Sequence, residues 1–428
     1  MKMKLSPRLL YADEKGRIYD HPELLALGET NDTLFPLGSA DLIDVPQGSE
    51  LFTLPGRLPV GLNPVTGKNV ILKEDPLHPG HPVSAVSAFL SPAYTRILNP
   101  AYAITPKSVH LPLFAYTAVG FANGNFVAPA WRVDPDQRQD FRHFENKDYK
   151  KAVVEALDEL PGNKLVEQLS TCVLEYGCAA AKNYVLHRWE CPLPTSPACN
   201  AECLGCVSSQ PSGCCPAPQR RLQAPPGAKD VADVAVLHIS RAKRPVVSFG
   251  QGCEGEPLLK FDVLEKSIGL IRESTKKGTI NLNTNASLPG KVRALAEAGL
   301  DAMRVTMISA RRKVYNAYHK PRGYTLDDVF ESIRIAASAG VHVSLNLLTF
   351  PGLTDSTIEL DKLRALLDKG WIKGIQLRNL NIDPELLKAE LGRFLPPGKP
   401  GGMKKIAGKL KRSYPGLWLG YYNPYLGE

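Results

Sequence analysis

From Pro245 to about residue 380 the apolar positions of the chain alternate between two periods. Short apolar runs near 245–249, 279–284, 301–308, 341–348 and 371–378 read as strands. The stretches between them, near 261–277, 289–298, 325–339 and 355–369, repeat their apolar residues at helical spacing. A first strand is read in His187-Arg-Trp-Glu-Cys-Pro-Leu-Pro194. Six strand–helix units with apolar strands imply parallel pairing and right-handed crossovers. Six units rather than eight predict an open, partial (β/α)6 barrel of TIM-like type, with its chemistry at the C-terminal ends of the strands.

The pattern differs on either side. Residues 1–147 are rich in Pro and Gly and lack helical periodicity. Glu50-Leu-Phe-Thr-Leu-Pro55, Asn69-Val-Ile-Leu72, the run from His110 to Phe121 and Asn125-Phe-Val-Ala-Pro-Ala-Trp131 are short, β-branched or aromatic segments closed by turn residues. Hairpin turns are expected at Asn63–Asn69 and at Asn123-Gly124. These features predict a β-rich N-terminal domain over 1–147. A helical connector follows over 148–183, with one helix from Asp148 to Leu160 and a second from about Lys164 to Val185. The barrel is expected over 184–382, and Pro211 to Lys229 is a long surface excursion. Residues 383–428 predict a small C-terminal α+β cap holding a helix near 384–392, a basic helix near 403–411 and a last strand near 417–422. The fold class is therefore α/β.

Composition sharpens this in two places. The nine cysteines all lie between Cys172 and Cys253, which is not the paired, dispersed pattern of a disulfide framework and favours metal binding in a reducing compartment. The net charge of +9 is also uneven. Residues 1–150 hold 15 Lys+Arg against 16 Asp+Glu, so the basic excess belongs to the half that carries the cysteines. Such an excess is either a solvated enzyme surface or a footprint for RNA or another polyanion. No run approaches a membrane span, and no apolar stretch follows the N-terminal Met-Lys-Met-Lys, so a cytoplasmic protein without a membrane partner is expected.

Three cysteines in Cys199-Asn-Ala-Glu-Cys203-Leu-Gly-Cys206 converge on one loop, directly after the first strand. Their thiolates suit a soft metal centre but are one short of the four that a closed structural site takes. Farther on come Ser248-Phe-Gly-Gln-Gly-Cys-Glu-Gly-Glu-Pro257, after the second strand, and Thr284-Asn-Ala286, after the third. In this order the motifs resemble those of the radical S-adenosylmethionine (SAM) superfamily, over about residues 184–380. The family pattern has Gly where this chain has Glu254, which puts the local backbone geometry in question.

The resemblance implies a [4Fe–4S] cluster on Cys199, Cys203 and Cys206, with SAM chelating the fourth iron. Gly255, Glu256 and Pro257 are then expected to meet the SAM ammonium through backbone carbonyls, and Asn285, Ser309 and Asn346 to meet its ribose or carboxylate. Reductive cleavage would yield a 5′-deoxyadenosyl radical, which implies a low-potential donor, flavodoxin or ferredoxin. Gln376 and Arg378, two apart on the sixth strand beside Asn379 and Asn381, are candidates for contacting substrate at the barrel mouth, or else parts of a core hydrogen-bond network. Cys253 is a candidate hydrogen-atom donor, or a buried thiol. The substrate is expected to be a protein, a peptide or RNA. The alternative is a non-catalytic nucleic-acid-binding protein holding zinc or an iron–sulfur cluster, with Cys191, Cys214 or Cys215 as a fourth thiolate. Cys214 and Cys215 also raise the question of a second cluster.

Overall fold

A computed structural model of the chain describes residues 6–38, 42–210, 213, 215–395 and 401–427. The chain divides into two compact units, and their segments interleave along the sequence. One unit comprises the residues up to Arg142 together with Thr349–Asp361 and Leu377–Tyr414. The other comprises His143–Leu348, Lys362–Gln376 and the residues from Pro415 on.

The second unit carries a parallel sheet of seven strands: Glu190–Pro192, Val246–Phe249, Thr279–Thr284, Ala302–Met307, His342–Thr349, Gly374–Asn379 and Trp418–Gly420, in that spatial order. Six strands were expected here. The seventh is the short C-terminal strand, where Gly374 pairs with Trp418 and Gln376 with Gly420. Parallel neighbours need a crossover, and the first two strands are joined by helix Ala228–Arg241. That helix buries Val231, Val234, Ala235, His238 and Ile239, a helical spacing that the sequence reading passed over. The expected helix 164–185 is two helices, Lys164–Leu174 and Ala179–Val185, broken at Gly177 with φ +59°.

The first unit is antiparallel and β-rich, with a thirteen-stranded sheet among the described residues. Both expected hairpin turns are present. Asn63 Oδ1 accepts from the amides of Val65 and Thr66, and Asn123-Gly124 turns with φ of 52° and 81°. The run from His110 to Val119 is largely irregular rather than a strand, although Phe114, Tyr116 and Val119 are buried. Its backbone is satisfied by side chains that arrive from far along the chain. Asp383 Oδ2 accepts from Leu111 N at 2.8 Å and Asn381 Oδ1 from Phe114 N at 2.6 Å.

Residues 383–428 therefore do not act as a single cap. Their two helices, Pro384–Leu391 and Met403–Ser413, fall in the first unit, and their strand completes the parallel sheet of the second. Two buried arginines fix the 377–395 segment within the first unit. Arg57 pairs with Asp383 at 2.6 Å, both side chains being excluded from solvent. Arg96 donates to the carbonyls of Tyr116 and Leu380 at 2.9 and 3.0 Å and lies over the Phe350 ring, and burial pushes its guanidinium down to about 9.

Removing one partner of a buried pair strands the other charge, at a cost of about 3–5 kcal/mol. Asp383→Ala is expected to lower stability by about that much in chemical denaturation. Arg241→Ala, which opens a part-exposed pair with Glu159, should cost under about 1 kcal/mol in the same assay. Equal effects from the two variants would contradict this account of the 377–395 segment.

Candidate functional site

The cysteine loop leaves the first strand and is held on two sides. On one side, residues 193–198 run beside the turn after the second strand. Leu193 N donates to Ser248 O at 2.8 Å, Gly255 N to Ser196 O at 2.7 Å and Glu256 N to Ala198 O at 2.8 Å. The approach is so close that a Cβ on Gly255 would lie 1.9 Å from the Ala198 carbonyl oxygen. Only glycine fits, because only glycine lacks that atom. On the other side, Glu202 N and Leu204 N donate to the carbonyls of His319 and Tyr318, Arg322 N donates to Asn200 O, and Ala201 bridges Pro321 in antiparallel fashion.

Glu254, the departure from the family pattern, is buried and locks the first of these contacts. Its Oε2 accepts from the amides of Thr195 and Ser196, and its Oε1 from the amides of Gly250 and Gln251, all at 2.7–2.8 Å. Burial pushes this carboxyl up to about 7, against four backbone N–H groups that favour the anion. Gly250 has φ +76°, and a Cβ there would meet Asn283 O at 1.7 Å. Glu256, also buried and pushed up to about 7 by its burial, accepts from Leu258 N at 3.1 Å, Asn285 N at 2.7 Å and the Thr284 hydroxyl. It ties the turn after the second strand to the turn after the third. Asn285 completes the rim. Its amide donates to Asn200 Oδ1 at 2.8 Å, and Asn200 donates to Ser287 Oγ at 2.9 Å.

The three loop cysteines are partly buried free thiols. Burial raises the Cys199 thiol to about 11, and burial followed by the neighbouring Cys206 and Cys199 raises Cys203 well above the ordinary range. A cationic iron centre inverts that preference, because a coordinated thiol is deprotonated. Hydrogen-bond donors already address the sulfurs. His319 Nδ1 lies 3.2 Å from Cys203 Sγ, and Arg221 Nη2 lies 3.6 Å from Cys206 Sγ. Among the described residues no three His, Cys, Asp or Glu side chains converge as they would on one metal ion. Thiolates of a cubane each take a different iron and need not converge on one point, so the loop fits a cluster. Cys191 is fully buried in the first strand, Cys214 lies outside the described residues, and Cys215 is half-buried and in no disulfide.

Side chains from the first four strands, the sixth strand and the segment after the seventh form a polar layer. Arg304 donates to Gln376 Oε1 at 2.8 Å, and Gln376 Nε2 donates to Asn423 Oδ1 at 2.8 Å. Asn423 Nδ2 donates to Glu190 at 2.7 Å, and Ser248 Oγ donates to the same carboxylate oxygen at 2.7 Å. Asn281 and Asn283 join from the third strand.

The expected residues thus separate into groups. Cys199, Cys203, Cys206, Gly255, Glu256 and Asn285 are brought together around one rim, and Pro257 opens the 3-10 turn Pro257–Lys260 behind it. Ser309 is buried just past the fourth strand and accepts from Arg311 N at 2.9 Å. Asn346 sits within the fifth strand, donates to Thr306 Oγ1 at 3.1 Å, and keeps a buried Oδ1 without a partner. Gln376 has both ends of its amide engaged in the polar layer and no exposure, which is the core-network reading of that residue. Arg378, two residues on, is half-buried and falls in the first unit. Asn379 and Asn381 are taken up by backbone groups of that same unit, Tyr94, Arg96 and Phe114. Cys253 is buried, and its hydrogen bond to Cys172, with burial behind it, holds its thiol protonated. Glu254, His319, Arg221, Asn200 and Asn423 were not anticipated. Of these, Glu254 had a signal as the departure from the family pattern and Asn200 in its position between two of the cysteines.

The radical SAM superfamily model matches residues 193–363. Over 133 residues the chain is 32% identical to a probable GTP 3′,8-cyclase of Methanopyrus kandleri, covering 28% of this chain and 42% of that one. Over 119 residues it is 34% identical to the GTP 3′,8-cyclase of Listeria monocytogenes, covering 27% of this chain and 34% of that one. The chain thus spans less than half the length of these curated relatives. Among solved structures, Streptococcus suis SuiB bound to S-adenosylmethionine matches with TM-score 0.41 and 16% identity, over 74% of this chain and 72% of that one. No helix among the described residues is long and apolar enough to cross a membrane.

Gly255→Ala should drive the cysteine loop away from the turn and reduce iron uptake on reconstitution while the secondary structure persists, as read by iron analysis and circular dichroism. Glu254→Gln leaves one pair of buried amides facing an NH2 group, at about 2–4 kcal/mol. Its melting temperature should fall accordingly, and an unchanged melting temperature would rule out the clamp.

Proposed function

Residues 193–363 are a radical SAM domain, and from that premise we propose that the chain is an enzyme that binds a [4Fe–4S] cluster through Cys199, Cys203 and Cys206 and cleaves S-adenosylmethionine reductively. The observation that carries this reading is the single rim formed by the cysteine loop, the Gly255–Pro257 turn and the Thr284–Ala286 turn, through Glu256 N to Ala198 O and Asn285 Nδ2 to Asn200 Oδ1. When bound, the cluster and SAM supply a 5′-deoxyadenosyl radical that takes hydrogen from a substrate.

The residues of the chain bind, orient and shield. The backbone of Gly255, Glu256 and Pro257 receives the SAM ammonium, with the Glu256 carboxylate already committed to holding the turn. Asn285, Ser309 and Asn346 serve the ribose and carboxylate, and the unpartnered Oδ1 of Asn346 is the acceptor best suited to a hydroxyl. Gln376 positions Arg304 beneath the site, and Cys253 is read as a buried thiol rather than a hydrogen donor. Arg378 is retained as a candidate for contacting substrate. The reductant is a low-potential carrier, flavodoxin or ferredoxin. The substrate is a peptide or RNA, a reading supported by the basic excess of residues 151–428, 37 Lys+Arg against 27 Asp+Glu.

The test is anaerobic. Protein reconstituted with iron and sulfide, then given dithionite and SAM, should release 5′-deoxyadenosine. Cys203→Ala should lose cluster and product yet stay folded, because a loop thiol adds little core, and Cys178→Ala should keep its iron. A zinc-loaded protein that leaves SAM intact, or full activity in Cys203→Ala, would overturn the reading. Short peptides, RNA and GTP offered in the same assay distinguish the substrate classes.

A further inference from the structure

His319 ends the eight-residue helix Arg312–His319 and is 1% exposed. Its ring is fixed from several directions. Tyr315 lies at 4.3 Å between ring centroids and Tyr318 at 4.9 Å, edge-on. The backbone amide of Ile308, just past the fourth strand, donates to Nε2 at 3.3 Å. A nitrogen that accepts carries no proton, so in the neutral ring the proton is on Nδ1. Nδ1 faces Cys203 Sγ at 3.2 Å. The main chain of the same residue accepts from Glu202 N, so ring and backbone grip the loop together.

We propose that His319 is a positioning residue that donates an Nδ1–H···S hydrogen bond to the Cys203 thiolate and thereby raises the reduction potential of the bound cluster. The inference rests on the cluster assignment above. Reduction adds an electron to a centre whose thiolates already hold negative charge, and an N–H dipole aimed at sulfur stabilises the more negative, reduced form. The bond is pre-aimed, because the Ile308 amide sets the tautomer and the two tyrosines set the ring plane, so no reorganisation is needed when the electron arrives.

Two variants separate the donor from the packing. His319→Phe keeps an aromatic ring in the pocket and removes the donor. His319→Asn places an amide N–H near the position of Nδ1. The readout is the reduced-cluster signal in electron paramagnetic resonance, followed across a series of poised potentials in the absence of SAM, with iron content and circular dichroism as controls. For His319→Phe the reduced fraction should fall about tenfold at low degrees of reduction, which for a one-electron couple is a shift of about 59 mV to more negative potential. His319→Asn should remain within about twofold of the unsubstituted protein, a fraction of that same tenfold span. The proposal is overturned if His319→Phe titrates like the unsubstituted protein, or if His319→Asn shifts as far as His319→Phe. Should His319→Phe take up no iron, His319→Asn decides: loading with an unshifted potential supports the donor, and failure to load assigns His319 to packing and overturns the proposal. If the unsubstituted protein takes up no cluster, the cluster assignment itself falls.

Discussion

The arrangement of the site depends on one close approach, the passage of residues 196–198 across Gly255. With 1.9 Å between the Ala198 carbonyl oxygen and the position of an absent Cβ, no side chain at 255 is compatible with the observed backbone. Once that approach is made, Gly255 N and Glu256 N are committed to Ser196 and Ala198, and the cysteine loop is aligned with the turn after the second strand. Glu254 then spans the same junction from beneath, taking four amides that would otherwise be buried without partners. Four donors for two oxygens is the geometry of an ionised carboxylate, and burial is the opposing influence that brings the group to about 7. A glycine at 254 could not supply this clamp, so the departure from the family pattern replaces backbone latitude with a side chain that ties two loops together.

Below the rim the sheet is lined differently from a closed barrel, whose interior is filled by layers of branched apolar side chains. Here Glu190, Ser248, Asn281, Asn283, Arg304, Gln376 and Asn423 form a connected layer in which one anion and one cation are separated by neutral amides. Such a layer is stable only while its members remain satisfied, because an unpaired polar group in a low-dielectric interior is costly. Asn423 is the member that closes it, linking the side of the sixth strand to that of the first. The seventh strand thereby gains a reason to exist despite its three residues: it delivers Asn423 to the interior.

The strand–helix alternation was legible because it rests on local periodicity. Leu264, Ile268 and Ile271 on one helix, or Ile280 and Leu282 on the next strand, report burial through spacing alone. The cysteines, Gly255 and Asn285 were legible because their order is a signature. What escaped depends on partners distant in the chain. His319 and Cys203 are separated by 116 residues, Arg57 and Asp383 by 326. The seventh strand was visible as a strand, but nothing local says that Trp418 pairs with Gly374. Arg378 and Gln376 look alike by strand parity, yet Gln376 is buried with both ends of its amide engaged while Arg378 is half-buried, a difference that spacing does not report.

That boundary makes the N-terminal sheet part of how the barrel's sequence is used. The chain passes into the first unit as the fifth strand ends at Thr349 and again within the sixth at Leu377. The loops that follow these strands therefore fold on Arg57, Arg96, Leu111 and Phe114 of the N-terminal segment. Asp383 alone accepts from Arg57, Leu111 N and Glu385 N, so it joins the N-terminal sheet to the cap of helix Pro384–Leu391. Without residues 1–142 these acceptors would lose the donors that Arg57, Arg96, Leu111 and Phe114 supply, and only water could replace them. The parallel sheet is thus written over a chain whose two excursions are stabilised elsewhere, and the β-rich segment is a structural requirement of residues 377–395 before it is anything else.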